Sequence, residues 1–213
     1  MDLIVLDPQL AADALCSAIM ERGLEALPWT DASRQWLQRA RCVREWAPAL
    51  GFPDLSDVAL LATLHAWLRP ALVGKTRLDA LDAGALRDAL DALLDWPQRQ
   101  ALERLAPVTL TVPSGIARAV AYQHDAPPVL AVKLQELFGL ADTPRVADGR
   151  VPLTLHLLSP GGKPLQVTQD LRGFWDRTYP EVRKEMKGRY PRHPWPDDPW
   201  AATPTHRTKP RGS

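Results

Sequence analysis

Between Arg172 and Trp195 the chain interleaves cationic and aromatic side chains: Arg172, Phe174, Trp175, Arg177, Tyr179, Arg183, Lys184, Lys187, Arg189, Tyr190 and Arg192. Cations neutralise phosphates and aromatic faces stack on bases, so this mixture suits a single-stranded nucleic acid. The candidate binding set is Arg172, Trp175, Arg177, Tyr179, Arg183, Lys184, Lys187, Arg189 and Arg192. Pro180 and Gly188 bracket a predicted helix. At about 100° per residue, that helix puts Val182 and Met186 on one face and Glu181 and Glu185 on a second, with Arg183, Lys184 and Lys187 on a third. The apolar face would pack on the body while the basic face looks outward. A plainer reading has equal standing. Glu181 can pair with Lys184, and Glu185 with Arg189, at helical spacing, which would leave an ordinary solvated face.

Other chemistry has little support. No G-x-x-x-x-G-K-[ST] phosphate loop exists, and no D-E-x-H sequence to hold magnesium. Pro160–Lys163, PGGK, has glycines and a lysine, but it joins two strand-like runs and reads as a plain hairpin loop. The five histidines, at 65, 124, 156, 193 and 206, lack metal-type spacing; His65 and His156 read as structural. Cys16 and Cys42 fall in amphipathic helical patterns and read as buried, reduced thiols. No metal or cofactor is expected on this chain.

Charge is uneven. The net formal charge is +1, made of −4 over residues 1–106, zero over 107–171 and +5 over 172–213. An anionic partner would therefore meet the C-terminal end. No run of about 18 apolar residues exists, and the start, MDLIVLDPQL, lacks the features of a signal peptide. The expectation is a cytoplasmic protein with no membrane partner.

The elements that would carry these residues change character along the chain. A strand-like LIVL opens it. Asp7 and Pro8 start a helix with the stripe Leu10, Leu15, Ile19 and Leu24. Thr30 starts a second, with Trp36, Leu37, Ala40, Val43 and Trp46 inward and Arg34, Arg39, Arg41 and Arg44 outward. Ser56 caps a third through Trp67 and Leu68, and Asp82 and Asp95 cap helices near 83–94 and 96–105. Five tryptophans, Trp29, Trp36, Trp46, Trp67 and Trp96, sit at core-compatible positions. After Pro107 the pattern alternates. VTLTV and IARAVAY flank a Pro-Ser-Gly turn as a hairpin, and VPLTLHLLS and PLQVTQDL form a second pair. Residues 127–138 read as a helix with Leu130, Leu134, Leu137 and Phe138 on one face, with a strand over 129–133 as the alternative. From Tyr190 the Pro-rich, basic chain cannot bury a core alone and would be either docked or disordered.

Several strings here resemble the end of HrpB-type, DEAH-class bacterial ATP-dependent RNA helicases. They are VPSG (112–115), PPVLAVKLQELFGL (127–140), TPRVADGRVPLTLHLLSP (143–160), QVTQDLRGFW (166–175), YPEVRKEMKGRYPRHPWPDDP (179–199) and PTHRTKPR (204–211). GLEALPW, DLSDVALLATLHAWL and LLDWPQRQALERLAP resemble the helical region before it, with lower specificity. The resemblance implies that ATP and magnesium are handled in two RecA-like motor domains that this sequence does not contain. It implies an accessory role for this chain, with single-stranded RNA and those RecA-like domains as partners. In related helicases an oligonucleotide-binding barrel occupies this region; such a barrel wants five strands, reached here only if 129–133 is a strand.

The expected architecture is α+β: a helical bundle at 1–106, a small β-rich domain at 107–171, and a C-terminal helix with a Pro-rich basic tail at 172–213. The expected function is accessory RNA binding. The alternative is a docking module, in which Trp195, Trp200 and the prolines anchor the tail to the body or to the motor.

Overall fold

The computed structural model describes residues 7–207; the LIVL run and the last basic residues lie outside them. The chain is α+β and divides into two compact units, Met1–Glu103 and Arg104–Ser213.

The first unit is helical. Helix α1 (Pro8–Arg22) starts as its sequence requires: Asp7 accepts a hydrogen bond from the Gln9 amide at 2.9 Å, and Pro8 fills the first turn, where no N–H is needed. Its buried stripe is Ala11, Ala12, Cys16 and Ile19. Leu10, expected inward, is 65 % exposed, because the small Ala11 and Ala12 set the face that meets the core. Helix α2 (Asp31–Trp46) is opened by a reciprocal cap between Thr30 and Ser33. Trp36, Leu37, Ala40 and Val43 are buried as the periodicity predicts. Arg39, expected outward, is buried too.

The long helix expected from Ser56 to Leu68 is broken into α3 (Asp57–Ala62), α4 (Leu64–Trp67) and α5 (Arg69–Leu72). The Thr63 hydroxyl donates back to the Ala59 carbonyl at 2.7 Å, a bond that bends helices, and Pro70 has no N–H to continue the ladder. Helices α6 (Ala83–Asp91) and α7 (Trp96–Leu105) are capped by Asp82 and Asp95, the latter in a reciprocal pair with Gln98. Trp96, read as a core residue, is 70 % exposed. It occupies the first turn of α7, beside Pro97, on the solvent side.

The second unit is built on strands β1 (Thr109–Thr111), β2 (Ala117–Gln123), β3 (Ala126–Lys133), β4 (Arg145–Val146), β5 (Val151–Pro152), β6 (Thr154–Leu158) and β7 (Pro164–Thr168). Five of them form one sheet in the order β1-β2-β3-β6-β7, and β4 pairs with β5 apart from it. Every neighbouring pair in the sheet is antiparallel except β3 and β6, which run parallel. Residues 129–133 are thus strand, not helix; the helical period of Leu130, Leu134, Leu137 and Phe138 arises where β3 runs into a 3-10 turn, Leu134–Leu137, and all four are buried. Pairing on both edges of β3 outweighs its helical period. The main sheet has five strands, as a barrel would need. Their order leaves β1 and β7 as two ends, so the sheet is open. One face buries Val120, Leu130, Val132, Leu155 and Leu157; the other carries Ala119, Ala121, Ala131 and Val167.

The C-terminal helix begins earlier than Pro180. Helix α8 (Leu171–Gly173) continues through a π-type turn, Phe174–Thr178, into α9 (Tyr179–Arg189). The wide turn has a local cause. Pro180 offers no N–H, and its ring would press on the carbonyl four residues back; shifting the Tyr179 amide to the Phe174 carbonyl accommodates both. Gly188 lies inside α9 rather than closing it. The tail then turns back and docks: the Gly139 amide donates to the Pro199 carbonyl at 2.8 Å, and the Thr205 amide to the Gln135 carbonyl at 3.2 Å.

Candidate nucleic-acid interface

The predicted binding residues separate into three groups. Trp175 and Tyr179 are core residues, 2 % and 1 % exposed. Trp175 donates its indole N–H to the Leu140 carbonyl at 2.8 Å, and Tyr179 donates its hydroxyl to the Pro196 carbonyl at 2.8 Å. Both rings pack edge-on against Phe174 and each other; Tyr179 also meets Phe138 edge-on, and Trp175 meets it tilted at 46°. Burial pushes the Tyr179 phenol well above its ordinary pKa. Neither ring offers a face to a base. The alternating aromatic pattern belongs to the packing of α9 on the sheet unit, where the sequence suggested stacking.

Four arginines are engaged. Arg172 forms a two-pronged pair with Asp142 at 3.0 and 3.1 Å. Arg177 reaches Asp170 at 2.9 Å, spanning Gly173, where any Cβ would strike both partners. The Gly173 amide and then Arg177 hold the Asp170 carboxyl below its ordinary pKa. Arg183 is half-buried, donating to the Trp195 carbonyl at 2.8 Å and pairing with Asp197 at 2.7 Å. It pins the returning tail to α9 and does not face outward with the lysines. Arg189 pairs with Glu185 at 3.3 Å, one helical turn away, as the plainer reading anticipated.

Lys184, Lys187 and Arg192 remain. All three are exposed and have no ion-pair partner among the described residues. They flank the last turn of α9, whose opposite side buries Met186 and half-buries Val182. The division into an inward apolar face and an outward basic face holds for these lysines.

Tail docking uses Trp195, which the docking alternative named, and brings in His193 and Gly161, which it did not. Trp195, 7 % exposed, donates to the Tyr190 carbonyl at 2.9 Å; Trp200, its expected companion, is 42 % exposed. The rings of Tyr190 and His193 meet edge-on at 6.0 Å, and His193 Nδ1 lies 3.3 Å from the Gln135 amide nitrogen. Burial, then the nearby Lys133, lowers the His193 pKa. The Tyr190 hydroxyl lies against Gly161 of the β6–β7 loop, where a Cβ would come within 2.7 Å of it. Lys133, and the loop that carries Lys163, thus join the surroundings of the tail. The only sequence signal for this was the PGGK string, and its neighbours are set by strand register.

Among the described residues, no helix is long and apolar enough to cross a membrane.

The comparisons with known proteins agree with one another. Residues 67–199 match the family model described as "ATP-dependent helicase C-terminal". A curated relative, the ATP-dependent RNA helicase HrpB of Escherichia coli (strain K12), is 47 % identical over 196 residues, which is 92 % of this chain and 24 % of the relative. A crystal structure of the E. coli DExH-box NTPase HrpB superposes with a TM-score of 0.90 at 44 % identity, covering 98 % of this chain and 26 % of that one. A crystal structure of the Escherichia coli DEAH/RHA helicase HrpB gives a TM-score of 0.77 at 42 % identity, covering 92 % and 25 %. The chain spans about a quarter of each of these relatives. With the family model covering more than half of its residues, and close agreement in fold, the chain belongs to the HrpB-type ATP-dependent helicase C-terminal family.

Proposed function

We propose that this chain is the non-catalytic accessory C-terminal region of an ATP-dependent RNA helicase, working in the cytoplasm, and that it helps hold single-stranded RNA for RecA-like motor domains outside it. One observation carries the RNA reading. In a stretch where the other candidate cations are tied to carboxylates, Lys184, Lys187 and Arg192 stay exposed and unpaired among the described residues. Free cations on a rigid helix end cost little to bring to a phosphate, because no existing ion pair must break.

The test is titration of a fluorescently labelled oligouridine at two salt concentrations. Three phosphate contacts on a single strand give a log–log slope near −2, from about −0.7 each. The triple variant K184E/K187E/R192E is expected to keep its melting temperature and lose binding. Unchanged affinity in that folded variant would reject the interface. ATP handling is assigned to the absent motor, so phosphate release by this chain should stay at background with and without RNA; turnover that co-purifies with it would overturn the accessory role.

The docking alternative keeps one supporting observation. The tail is fastened to its own unit through Trp195, Pro199 and Thr205, while Trp200 stays partly open, as an anchor for a further domain would.

A further inference from the structure

The hairpin loop between β6 and β7 was the one glycine-lysine motif left without a role, and two contacts place it beside the chain that follows α9. Lys133 ends β3 and stands in parallel register with Leu158, the last residue of β6, so it borders the loop formed by residues 159–163. The Tyr190 hydroxyl reaches Gly161, which has no side chain to block it. Lys133 is close enough to His193 to depress that ring's protonation. The loop itself is held open and rigid: the Ser159 amide donates to the Lys163 carbonyl at 2.8 Å, the Lys163 amide to the Ser159 hydroxyl at 3.1 Å, and Gly162 adopts a positive φ of 80° that suits glycine.

Three cations lie on the segments that meet here: half-buried Lys133 at the end of β3, exposed Lys163 on the loop, and exposed Arg192 between Tyr190 and His193. None has an ion-pair partner among the described residues. The nearest carboxylate in sequence to Lys133, Glu136, is fully buried and committed to Arg118 at 2.9 Å. Lys187 stands one helical turn before Tyr190, so the lysines of α9 lead toward this cluster. A phenol hydroxyl that can donate, beside cations with no counter-charge among the described residues, offers the donors that an anionic oxygen needs.

We propose that Lys133, Lys163, Tyr190 and Arg192 form a second contact for the phosphodiester backbone of a single nucleic-acid strand, one that extends the α9 face across the β6–β7 loop. This rests on the RNA reading above and enlarges its site. The strand's phosphates meet Lys184 and Lys187 on the helix, then Arg192, Lys163 and Lys133 past its end. Tyr190 donates its hydroxyl to a phosphate oxygen; the ring is wedged between Gly161 and His193 and is not a stacking platform.

The experiment measures binding of labelled oligouridine and oligodeoxythymidine to the whole chain by anisotropy across a salt series. The variants are K133E/K163E, K163E alone, Y190F and K184E/K187E, each with a melting curve. The double variant K133E/K163E should bind at least tenfold more weakly, with a salt slope shallower by about 1.4, the loss of two phosphate contacts. K163E, on an exposed loop, gives the same direction where the double variant melts low. Y190F should weaken binding about two- to tenfold, the worth of one hydrogen bond. Equal losses with both oligonucleotides support recognition of the backbone. Wild-type affinity and slope in K163E and K133E/K163E, with K184E/K187E weakened, would overturn this second contact and leave the α9 reading standing. The converse pattern would move the RNA site wholly to the loop. Absence of binding to either oligonucleotide by the unaltered chain would remove both.

Discussion

Helices α2 and α9 each carry four cationic side chains, and they commit different shares of them to the fold. On α2, Arg34 pairs with Glu25 and Arg41 with Asp57, both through side chains that come from other elements of the helical unit. Arg39 goes further: it is 3 % exposed and meets Glu103 at 2.8 Å. These arginines fasten loops and neighbouring helices to α2. On α9, arginines do the same work, Arg183 on the tail and Arg189 on Glu185, while the lysines are left over. The difference follows from the groups. A planar guanidinium matches a carboxylate with two prongs, whereas an ammonium on a flexible stem stays hydrated. On α9 the two arginines belong to the fold, and the lysines, with Arg192 beyond the helix, keep no ion-pair partner among the described residues.

That contrast can be broken in four places. The largest effect is expected from Trp175→Ala. Removing an indole that is 2 % exposed should cost about 3–5 kcal/mol of unfolding free energy in urea, with any loss of RNA affinity following the loss of fold. A folded, stable Trp175→Ala protein that binds RNA poorly would restore the stacking role that burial argues against. Next comes Glu103→Ala. Stripping this partner from a buried guanidinium should cost about 3 kcal/mol, read from the same denaturation curve. A change under about 0.5 kcal/mol would mean that Arg39 is held by its other contacts without Glu103. Lys184→Ala with Lys187→Ala, by contrast, should shift stability by no more than about 0.5 kcal/mol while lowering RNA affinity. A clear loss of stability there would place these lysines in the structural class.

The smallest effect concerns His193. Its folded pKa lies below the ordinary value, so the unfolded chain takes up the proton first. Its contribution to stability is therefore intact above the ordinary histidine pKa of about 6.5 and declines as pH falls through and below that value. Melting curves between neutral pH and about pH 5.5 should show a steeper decline in the natural chain than in His193→Gln. Identical declines would detach His193 from the acid response.

Local signals in the sequence located the helices with good fidelity because their caps are local: Asp7, Thr30, Ser56, Asp82 and Asp95 each accept from an amide two or three residues on. The two hairpins, β1–β2 and β6–β7, were equally legible from alternation and turn residues. What could not be read is what depends on partners far along the chain. Residues 127–138 have a helical period, and only lateral pairing with β2 and β6 makes β3 a strand. Arg39 and Arg183 look like surface cations until Glu103 and the Trp195 carbonyl arrive from distant segments. Likewise, Trp175 and Tyr179 share a stretch with exposed lysines, and nothing local tells the buried from the free. The site suffered the same limit, since Tyr190 meets Gly161 and His193 comes near Lys133 only in the folded sheet unit.

The parallel pairing of β3 with β6 has a kinetic consequence. Both hairpins flanking it can zip from their own turns, each closing a short loop. Joining them requires the chain to close residues 134–153, with the 3-10 turn and the β4–β5 pair inside, before any β3–β6 hydrogen bond forms. Loop closure comes before its reward, so this junction is the slow step in assembling the sheet. Opening this seam would leave a three-stranded β1-β2-β3 piece and the β6–β7 hairpin. Amide exchange at Leu130 and Val132, or at Leu155 and Leu157, would report that separation directly.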